Sequence, residues 1–411
     1  MISEAPPARQ RLGPYELLRR LARGGMANVF LARRGGAHVA LKVLDKSRIA
    51  DGEAYSMFLD EARLVQMLDH GNVAAVLDVD VLDDEIYLAM EYIHGVDLRE
   101  LLGACMKRGA MIPYEVAIAV IAAAAAGLDH AHHRRGPDGA PLHLVHRDVS
   151  LSNIMVGHDG GVKVVDFGIA TSALASVHTM PGIVRGKASY MSPEQCLGDK
   201  IDCRADVFAL GVVLYELTTG ARCFSGKTDF DRMLAVVRSE FIPPSVIVKD
   251  YPRELEQLIV ATLSTDPARR PASAGALIAA LDDLARRHGW TGGRGAIARL
   301  MRTCYGDVPE PWLADGDDAV ATLDDTAAPH VAEVHDTVRS EPLQLLEKAP
   351  RTRLARGSQS DLTPRPQKHD DHDDHDGHDD HDDHDDDEPT SRRAALRRRT
   401  RTMPGYSPVF S

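Results

Sequence analysis

Apolar and polar residues alternate along residues 15–44 on either side of a glycine pair, as expected of three short antiparallel strands joined by turns. Apolar positions then recur at helical spacing over 54–70, and two further apolar runs cover 73–82 and 85–93. This order of patterns predicts a small α+β lobe, residues 15–94, built from a five-stranded antiparallel sheet and one helix.

Beyond this lobe the chain changes to longer apolar segments with helical spacing. They predict a larger, mostly helical lobe over 95–288, in which short strands and loops occupy 142–170. Residues 1–14 precede the first lobe as an extension, and the stretch 289–313 allows one additional helix. The helices predicted for the larger lobe are 97–107, 113–133, 204–219, 254–264 and 273–288.

The composition is that of a soluble globular protein, with 44% hydrophobic residues. The longest apolar stretch, Val116–Leu128, is too short to cross a bilayer and is rich in alanine, so it predicts a buried helix and no membrane span. No apolar segment near the first residue has the form of a signal peptide. The five cysteines form no CxxC pair, which argues against a disulfide framework or a zinc site and favours a cytoplasmic location.

From about residue 314 the chain is rich in Asp, Thr, Pro and Arg and lacks apolar periodicity, which predicts a disordered C-terminal tail over 314–411. The net charge of −13 arises in this tail, because residues 369–388 contain twelve Asp and one Glu but no Lys or Arg. The remainder of the chain is balanced in charge, so the acidity says nothing about partners of the folded part.

Two features of the tail allow alternative interpretations. Six histidines alternate with the carboxylates of the 369–388 tract and offer ligands for Zn²⁺, Ni²⁺ or Mn²⁺. Nothing holds these side chains in a ligand geometry, so a charged spacer is favoured over metal binding. The arginine cluster of 392–401 has the charge to bind nucleic acid or anionic lipid. Its position beside the acidic tract favours an intramolecular contact, and nucleic acid is not an expected partner.

A candidate phosphate-binding loop lies between the first two predicted strands. Glycine pairs such as Gly24 and Gly25 usually mark only a turn, but here Lys42 follows on the next strand and a helix with Glu61 comes after it. In that order, backbone N–H groups at the glycines can approach phosphates, Lys42 can reach them, and Glu61 can orient Lys42. A dinucleotide-binding loop is excluded, because that motif requires a strand followed directly by a helix.

The stretch HRDVSLSN, from His146 to Asn153, places Asp148 and Asn153 on one tight loop. Asp166 follows eighteen residues after Asp148, at the end of a short apolar strand. Asn153 and Asp166 supply oxygen ligands suited to Mg²⁺, and Asp148 can accept the proton of a substrate hydroxyl. Together with the candidate phosphate-binding loop, this arrangement predicts phosphoryl transfer.

With these motifs the chain resembles the eukaryotic-like Ser/Thr protein kinases of bacteria over residues 15–286. The resemblance implies the bilobal protein kinase fold, with a kinase domain over 15–288. It also implies transfer of the γ-phosphoryl of ATP to Ser or Thr hydroxyls of protein substrates, with Mg²⁺ or Mn²⁺ as the metal. The residues that carry the resemblance are Gly24, Val29, Val39, Ala40, Leu41, Lys42, Glu61, His146, Arg147, Asp148, Asn153, Asp166, Phe167, Gly168, Ser192, Pro193, Glu194, Asp206, Gly211 and Arg270.

The same resemblance assigns roles to individual residues. Asp148, Lys42 and Glu61 would be catalytic groups, and Met90 would be the gatekeeper before an adenine-binding hinge at 91–93. The residues expected to line the nucleotide are Leu21, Ala22, Arg23, Gly24, Gly25, Met26, Ala27, Asn28, Val29, Ala40, Lys42, Met90, Glu91 and Ile93. Two structural ties are also implied, between Glu194 and Arg270 and between Asp206 and the loop at His146.

Three departures from the family pattern affect the candidate site. Ala22 and Ala27 replace two of the three phosphate-loop glycines. Ser150 stands where these kinases carry a phosphate-contacting lysine, and Lys187 stands where they carry a threonine. Because the last two positions face each other in the family fold, we hypothesise that Lys187 supplies the missing cation as a further catalytic group. A solvated loop lysine is the alternative. The departures also leave open a pseudokinase scaffold that binds nucleotide weakly and presents its charged tail to partners.

The segment between Asp166 and Glu194 is expected to be phosphorylated, including by autophosphorylation. Arg147 directly precedes Asp148, and an arginine at this position can donate charge-assisted hydrogen bonds to a phosphate on that segment. The candidate acceptors are Thr171, Ser172, Ser176 and Thr179, of which Thr179 is favoured by its distance from the Asp-Phe-Gly motif.

Overall fold

The smaller lobe is a six-stranded antiparallel sheet. The structure is a computed structural model that describes residues 11–23, 27–45, 59, 62–82, 85–167 and 187–314. The strands of this sheet are β1 (Arg11–Leu12), β2 (Tyr15–Arg23), β3 (Ala27–Arg34), β4 (Ala37–Asp45), β5 (Val76–Leu82) and β6 (Glu85–Glu91). Their spatial order is β1-β2-β3-β4-β6-β5, and every neighbouring pair is antiparallel.

Alternation along β4 determines which side chains face the second lobe. Val39 and Leu41 are buried on one face of the sheet, where they pack with Tyr87 in a separate small core. Successive side chains of a strand point to opposite faces, so Ala40 and Lys42 lie on the other face. The strand therefore separates the side chains that stabilise the lobe from those that reach the site.

The five longer strands agree with the predicted sheet, and β1 adds a sixth at its edge. Leu12 pairs with Tyr15 of β2 through a turn at Gly13, whose φ of +54° lies in the left-handed region that favours glycine. A strand of two residues is too short to show alternation, which is why the sequence pattern did not reveal it.

The helix predicted at 54–70 is described only in part. Residues 62–66 are helical, and Ala62, Val65 and Leu68 are buried at helical spacing in the main core. Glu61 lies outside the described residues.

The second lobe is mostly helical, and the five helices predicted for it end within two residues of their observed bounds. Their apolar side chains pack mainly into one core. The helices are α1 (Leu98–Lys107), α2 (Tyr114–His132), α3 (Pro193–Leu197), α4 (Arg204–Thr219), α5 (Asp229–Val237), α6 (Pro244–Ile247), α7 (Arg253–Thr262), α8 (Ala274–His288), α9 (Arg294–Tyr305) and α10 (Pro311–Ala314).

Helices α2 and α4 form the centre of this lobe. Every residue of α4 from Ala205 to Thr219 is buried, so its sequence has no polar face. Among the described residues, α2 is the one helix long and apolar enough to cross a membrane by length and composition, and 56% of its most apolar window is buried inside the fold. Its alanine-rich middle is a core segment, as the sequence predicts.

The sequence patterns did not indicate α5. Its N-terminus is closed by a reciprocal cap, in which Asp231 N–H donates to the hydroxyl of Thr228 at 3.0 Å and Thr228 N–H donates to the carboxylate of Asp231 at 2.9 Å. The spacing Thr228-x-x-Asp231 was the available signal for this helix start.

A second, three-stranded sheet lies directly after the linker between the lobes. It consists of β7 (Gly95–Asp97), β8 (Ile154–Gly157) and β9 (Val162–Val164), antiparallel in that order. The hairpin of β8 and β9 joins the loop that ends at Asn153 to the segment that contains Asp166, and so brings the two motifs to one edge.

Candidate active site

A buried carboxylate from another element holds the loop between His146 and Asn153. Asp206, in the first turn of α4, is 1% exposed and accepts hydrogen bonds from the backbone N–H groups of His146 and Arg147, both at 2.9 Å. Nε2 of His132 lies 2.7 Å from the same carboxylate. Burial works to raise the pKa of Asp206, but the hydrogen bonds with His132 and with the backbone N–H of His146 outweigh it and lower the pKa. The tie expected between Asp206 and this loop is therefore present.

Two residues of the site adopt a backbone conformation that residues other than glycine rarely adopt. The φ angles of Arg147 and Asp166 are 65° and 54°. Such conformations cost on the order of 1 kcal/mol or more each and persist where surrounding contacts hold them. The hydrogen bond from Arg147 N–H to Asp206 is one such contact.

The His146 side chain, which is fully buried, connects this loop to the segment before Asp166. The backbone N–H of Asp148 donates to Nδ1 at 3.2 Å, so that nitrogen carries no proton. The Nε2–H group therefore donates to the carbonyl of Val165 at 3.0 Å. The ring also packs against Phe167, with 4.6 Å between the ring centroids.

The carboxylate of Asp148 accepts hydrogen bonds from two side chains. Nδ2 of Asn153 donates to Oδ2 of Asp148 at 2.9 Å and to its backbone carbonyl at 2.7 Å. The ammonium of Lys187, which begins a 3₁₀ turn, donates to the same Oδ2 atom. The structure thus brings the predicted residues Asp148, Asn153 and Lys187 together at one oxygen.

Ser150 occupies the position at which the family pattern has a lysine. It is fully buried, and its hydroxyl lies 3.1 Å from that of Ser152. The Lys187 side chain is 26% exposed and ion-paired with Asp148. The cation next to Asp148 consequently comes from position 187.

Lys42 on β4 reaches across the cleft to Asp166. Its ammonium lies 2.7 Å from Oδ1 of Asp166. Burial works to raise the pKa of Asp166, but the charge and hydrogen bond of Lys42, with a smaller effect of the Lys187 charge, outweigh it and lower the pKa. The carboxylate is therefore held ionised mainly by the ammonium of Lys42.

Asn153 and Asp166 are adjacent through the backbone, since the N–H of Val165 donates to the carbonyl of Asn153 at 3.0 Å. Together they present an amide oxygen and a carboxylate oxygen, the donor types that Mg²⁺ and Mn²⁺ prefer. Within the described ranges no group of three or more His, Cys, Asp or Glu side chains has the arrangement of a metal site. Two protein oxygens fit a metal that takes its remaining ligands from phosphates and water.

The strands that precede Lys42 bring the predicted nucleotide-lining residues into register. Ala22 pairs with Val29, and Val29 pairs with Lys42. Ala40 pairs with Met90 on β6, so the expected gatekeeper lies beside another residue expected to line the nucleotide. These residues lie on the four adjacent strands β2, β3, β4 and β6.

An ion pair that the sequence did not indicate supports the hinge. Nζ of Lys163 on β9 lies 2.8 Å from Oε2 of Glu91. The backbone of Glu91 is also bonded, because its N–H donates to the carbonyl of Ala75 at 2.9 Å. The first residue of the predicted hinge is thereby connected to the strand that leads to Asp166.

The second expected tie is also present. Arg270, whose side chain is fully buried, forms a two-pronged pair with Glu194 at 2.6 and 2.7 Å. Burial works to raise the pKa of Glu194, but the hydrogen bond from Arg270 lowers it. Nε2 of Gln195 donates to the carbonyl of Arg147 at 2.9 Å and joins α3 to the loop that contains Asp148.

Sequence reasoning missed three residues that support the site, namely His132, Lys163 and Gln195. The spacing Ser192-x-x-Gln195 is a capping-box signal for α3, and both of its hydrogen bonds are present. For His132 and Lys163 the sequence carries no local signal, because their partners are distant in the chain. The predicted features that lie outside the described residues are Gly24, Gly25, Met26, Glu61, Gly168, Thr171, Ser172, Ser176, Thr179, the tract 369–388 and the cluster 392–401.

The protein kinase domain family matches residues 15–280 of this sequence. The chain belongs to that family. The kinase domain of Mycobacterium tuberculosis PknI superposes on it with a TM-score of 0.53 at 26% sequence identity, covering 68% of this chain and 99% of that one. These comparisons confirm the family and the bilobal fold that the sequence motifs predict.

Several curated relatives share the kinase domain. Tyrosine-protein kinase MasK of Myxococcus xanthus is 37% identical over 306 residues, which are 73% of this chain and 47% of that protein. Serine/threonine-protein kinase PknB of Mycobacterium tuberculosis is 36% identical over 282 residues, 67% of this chain and 43% of that protein. Serine/threonine-protein kinase PrkC of Bacillus subtilis is 34% identical over 260 residues, which are 63% of this chain and 38% of that protein. The chain thus spans less than half the length of each of these three relatives.

Proposed function

We propose that this chain is a protein kinase that transfers the γ-phosphoryl group of ATP to Ser or Thr hydroxyls of protein substrates. The observation that carries the proposal is the convergence of Lys42, Asp148, Asn153 and Asp166 between the two lobes. Most of the relatives named above are Ser/Thr kinases, and one is named a tyrosine kinase. Family membership thus supports phosphoryl transfer, and the preference for Ser and Thr follows the majority.

Each of these side chains has a role that its chemistry suits. Asp148 accepts the proton of the substrate hydroxyl, and Lys42 binds the phosphates of ATP. Asn153 and Asp166 would hold Mg²⁺, for which Mn²⁺ can substitute. When bound, the metal would supply positive charge that neutralises the phosphates. Catalysis is therefore mainly positioning and electrostatic stabilisation by groups already in place.

Lys187 takes the role of the lysine that is absent at position 150. Its support is the hydrogen bond to Oδ2 of Asp148, together with the full burial of Ser150. A cation at this point can contact both the catalytic carboxylate and the phosphate that leaves ATP. The ion pair with Asp148 argues against the alternative that Lys187 is a solvated loop lysine.

A pseudokinase scaffold remains the alternative function, but none of the observations on the described residues favours it. A chain that has lost phosphoryl transfer would be expected to lack one of its catalytic groups. Here Lys42, Asp148, Asn153 and Asp166 are all present and in contact with one another or with Lys187. We also propose autophosphorylation and a cytoplasmic location, the latter in keeping with five free cysteines.

The experiment that tests this function measures transfer from labelled ATP, with Mg²⁺, to the chain itself and to a generic protein substrate. We expect incorporation by the wild-type protein and at least about 10³-fold less with Asp148→Asn or Asp166→Ala. Asp282→Asn, on an exposed face of α8, is the matched control and should retain full activity. Phosphoamino-acid analysis should find phosphoserine or phosphothreonine.

Two results would contradict the proposal. Equal incorporation by the wild-type protein and both active-site variants would mean that the label comes from a contaminating kinase. Nucleotide-dependent partner binding without incorporation would favour the scaffold.

A further inference from the structure

Helix α9 extends the second lobe beyond residue 280, where the family match ends. Its apolar side is buried against the lobe, with Ile297 2%, Met301 0% and Cys304 5% exposed. The sulfur of Cys304 lies 3.6 Å from that of Cys105 on α1. This side of α9 is therefore part of the core and is anchored to the larger lobe.

The first turn of α9 is anchored as well. Arg294 forms an ion pair with Asp159, in the turn between β8 and β9. The backbones approach so closely that a Cβ atom at Gly160 would lie 2.0 Å from the carbonyl oxygen of Arg294. Gly160 also has a φ of +81°, so only glycine suits this contact. Both ends of α9 are consequently tied to the larger lobe.

From this anchor the chain returns to the smaller lobe. The indole of Trp312, on α10, stacks on the ring of His38 at a centroid distance of 3.9 Å and an interplanar angle of 1°. The same indole meets the ring of Tyr92 edge-to-face at 5.5 Å and 65°. His38 belongs to β4, and Tyr92 lies in the hinge at 91–93.

One side chain therefore contacts the smaller lobe and the hinge, while the helix before it is attached to the larger lobe. Moving the lobes apart would require Trp312 to leave His38 and Tyr92, α9 to leave its buried site, or the connection 306–310 between α9 and α10 to rearrange. The cleft in this structure is closed enough for Lys42 to reach Asp166 at 2.7 Å. The contacts of Trp312 favour that arrangement over a more open one.

We propose that Trp312 is a positioning residue for nucleotide binding, acting through Tyr92 and His38 to hold the hinge and the smaller lobe in the nucleotide-binding arrangement. The inference rests on the proposed kinase function, because it couples the docking of Trp312 to nucleotide binding at that same site. Binding linkage is reciprocal, so docking of Trp312 should tighten nucleotide binding and bound nucleotide should tighten docking by the same factor.

The docking itself can be observed without any phosphoryl transfer. The sequence has two tryptophans, Trp290 and Trp312, and Trp290 stacks on His288 in the larger lobe. A full-length Trp290→Phe variant leaves Trp312 as the sole indole fluorophore. Acrylamide should quench it less than free tryptophan. Addition of ADP with Mg²⁺ should reduce quenching further, whereas a His38→Ala change in the same background should increase it.

The functional effect is measured with Trp312→Ala in the full-length protein. We expect the KM for ATP and the dissociation constant for ADP to rise about threefold to tenfold, the range that an aromatic pair contributes, with kcat changed by less than about twofold. His38→Ala should have a similar effect, and the double variant should be little worse than either single one. Leu313→Ala, the neighbouring and 69% exposed residue, is the control that should change neither constant.

The outcomes separate this inference from the proposed function. If the wild-type protein binds ADP and Trp312→Ala binds it as tightly as Leu313→Ala does, the coupling is refuted and the kinase function stands. A Trp312 quenched as freely as free tryptophan also refutes the coupling alone. If no form of the protein binds nucleotide, both proposals are wrong.

Discussion

Lys187 and Asn153 donate to the same carboxylate oxygen, Oδ2 of Asp148. Lys187 comes from the segment before α3, whereas Asn153 lies on the loop that contains Asp148. In the proposed reaction, an ammonium in this position would lower the free energy of the negative charge that develops at the reacting phosphate. The positive charge that the family pattern places at position 150 is thus present in this chain, where Lys187 of another segment carries it.

Replacing Lys187 should lower kcat. We expect Lys187→Ala to reduce kcat by roughly 10²-fold, the usual effect of removing one electrostatic contact at a transition state, or about 2.7 kcal/mol. The measurement is steady-state phosphorylation of a protein substrate. Lys200→Ala, an exposed lysine of the same lobe, is the control. Unchanged turnover in Lys187→Ala, with Asp148→Asn inactive, would refute the hypothesis that Lys187 replaces the lysine absent at position 150.

Exchanging the two residues should restore activity in part. In Lys187→Thr with Ser150→Lys, the cation returns to the position that the family pattern gives it. We expect the double variant to be more active than Lys187→Thr alone. Because Ser150 is fully buried, thermal unfolding of both variants must first show that they fold. A double variant that folds but is no more active than Lys187→Thr would argue against equivalent roles for a lysine at position 150 and a lysine at position 187.

Arg270 should be far more important for stability than an exposed arginine. Arg270→Ala leaves the carboxylate of Glu194 buried without its partner and should reduce the free energy of unfolding by about 3–5 kcal/mol. The control is Arg286→Ala, whose side chain is 73% exposed, with an expected change below about 0.5 kcal/mol. Denaturant titrations of the three proteins measure both values, and equal midpoints for the two variants would contradict the expectation.

The contribution of Asp206 should depend on pH. Burial works against its ionisation, but the contacts with His132 and His146 lower the folded-state pKa below the unfolded value of about 4. The ionised form therefore favours folding, and its contribution is complete above the unfolded pKa. It is lost as the pH falls through the lower, folded-state pKa.

The comparison of wild-type protein with Asp206→Asn tests this dependence. The difference between their free energies of unfolding should shrink as the pH falls below about 4. Denaturant titrations at a series of pH values give the difference directly. A gap of the same size at pH 3.5 as at pH 7 would show that the carboxylate charge is not the cause.

Gly211 should tolerate no side chain while Thr262 is opposite. A Cβ atom at position 211 would lie 2.1 Å from Oγ1 of Thr262, where α4 packs on α7. We expect Gly211→Ala to destabilise the protein by about 1–3 kcal/mol, as overpacked cores do. Adding Thr262→Ala removes Oγ1, the nearest obstructing atom, so the double variant should be more stable than the sum of the single changes predicts. Strict additivity in thermal unfolding would disprove the clash.

Much of the site was predictable because its residues are local in sequence. Asp148 and Asn153 share one loop, and the alternation along β4 already places Lys42 on the face opposite Leu41. The apolar spacing of the long helices predicted their bounds well, since that spacing records which side of each helix is buried. The sequence patterns did not predict the short elements α5 and β1, because so few residues show too little apolar periodicity.

The sequence by itself determined the family, the two lobes and the loop that holds Asp148 and Asn153, since these follow from local patterns and motif spacing. Only the tertiary structure decided which distant side chains meet: Lys187 with Asp148, Lys163 with Glu91, and Trp312 with His38 and Tyr92. Such contacts depend on how whole elements pack, and packing is set by the summed burial of many residues.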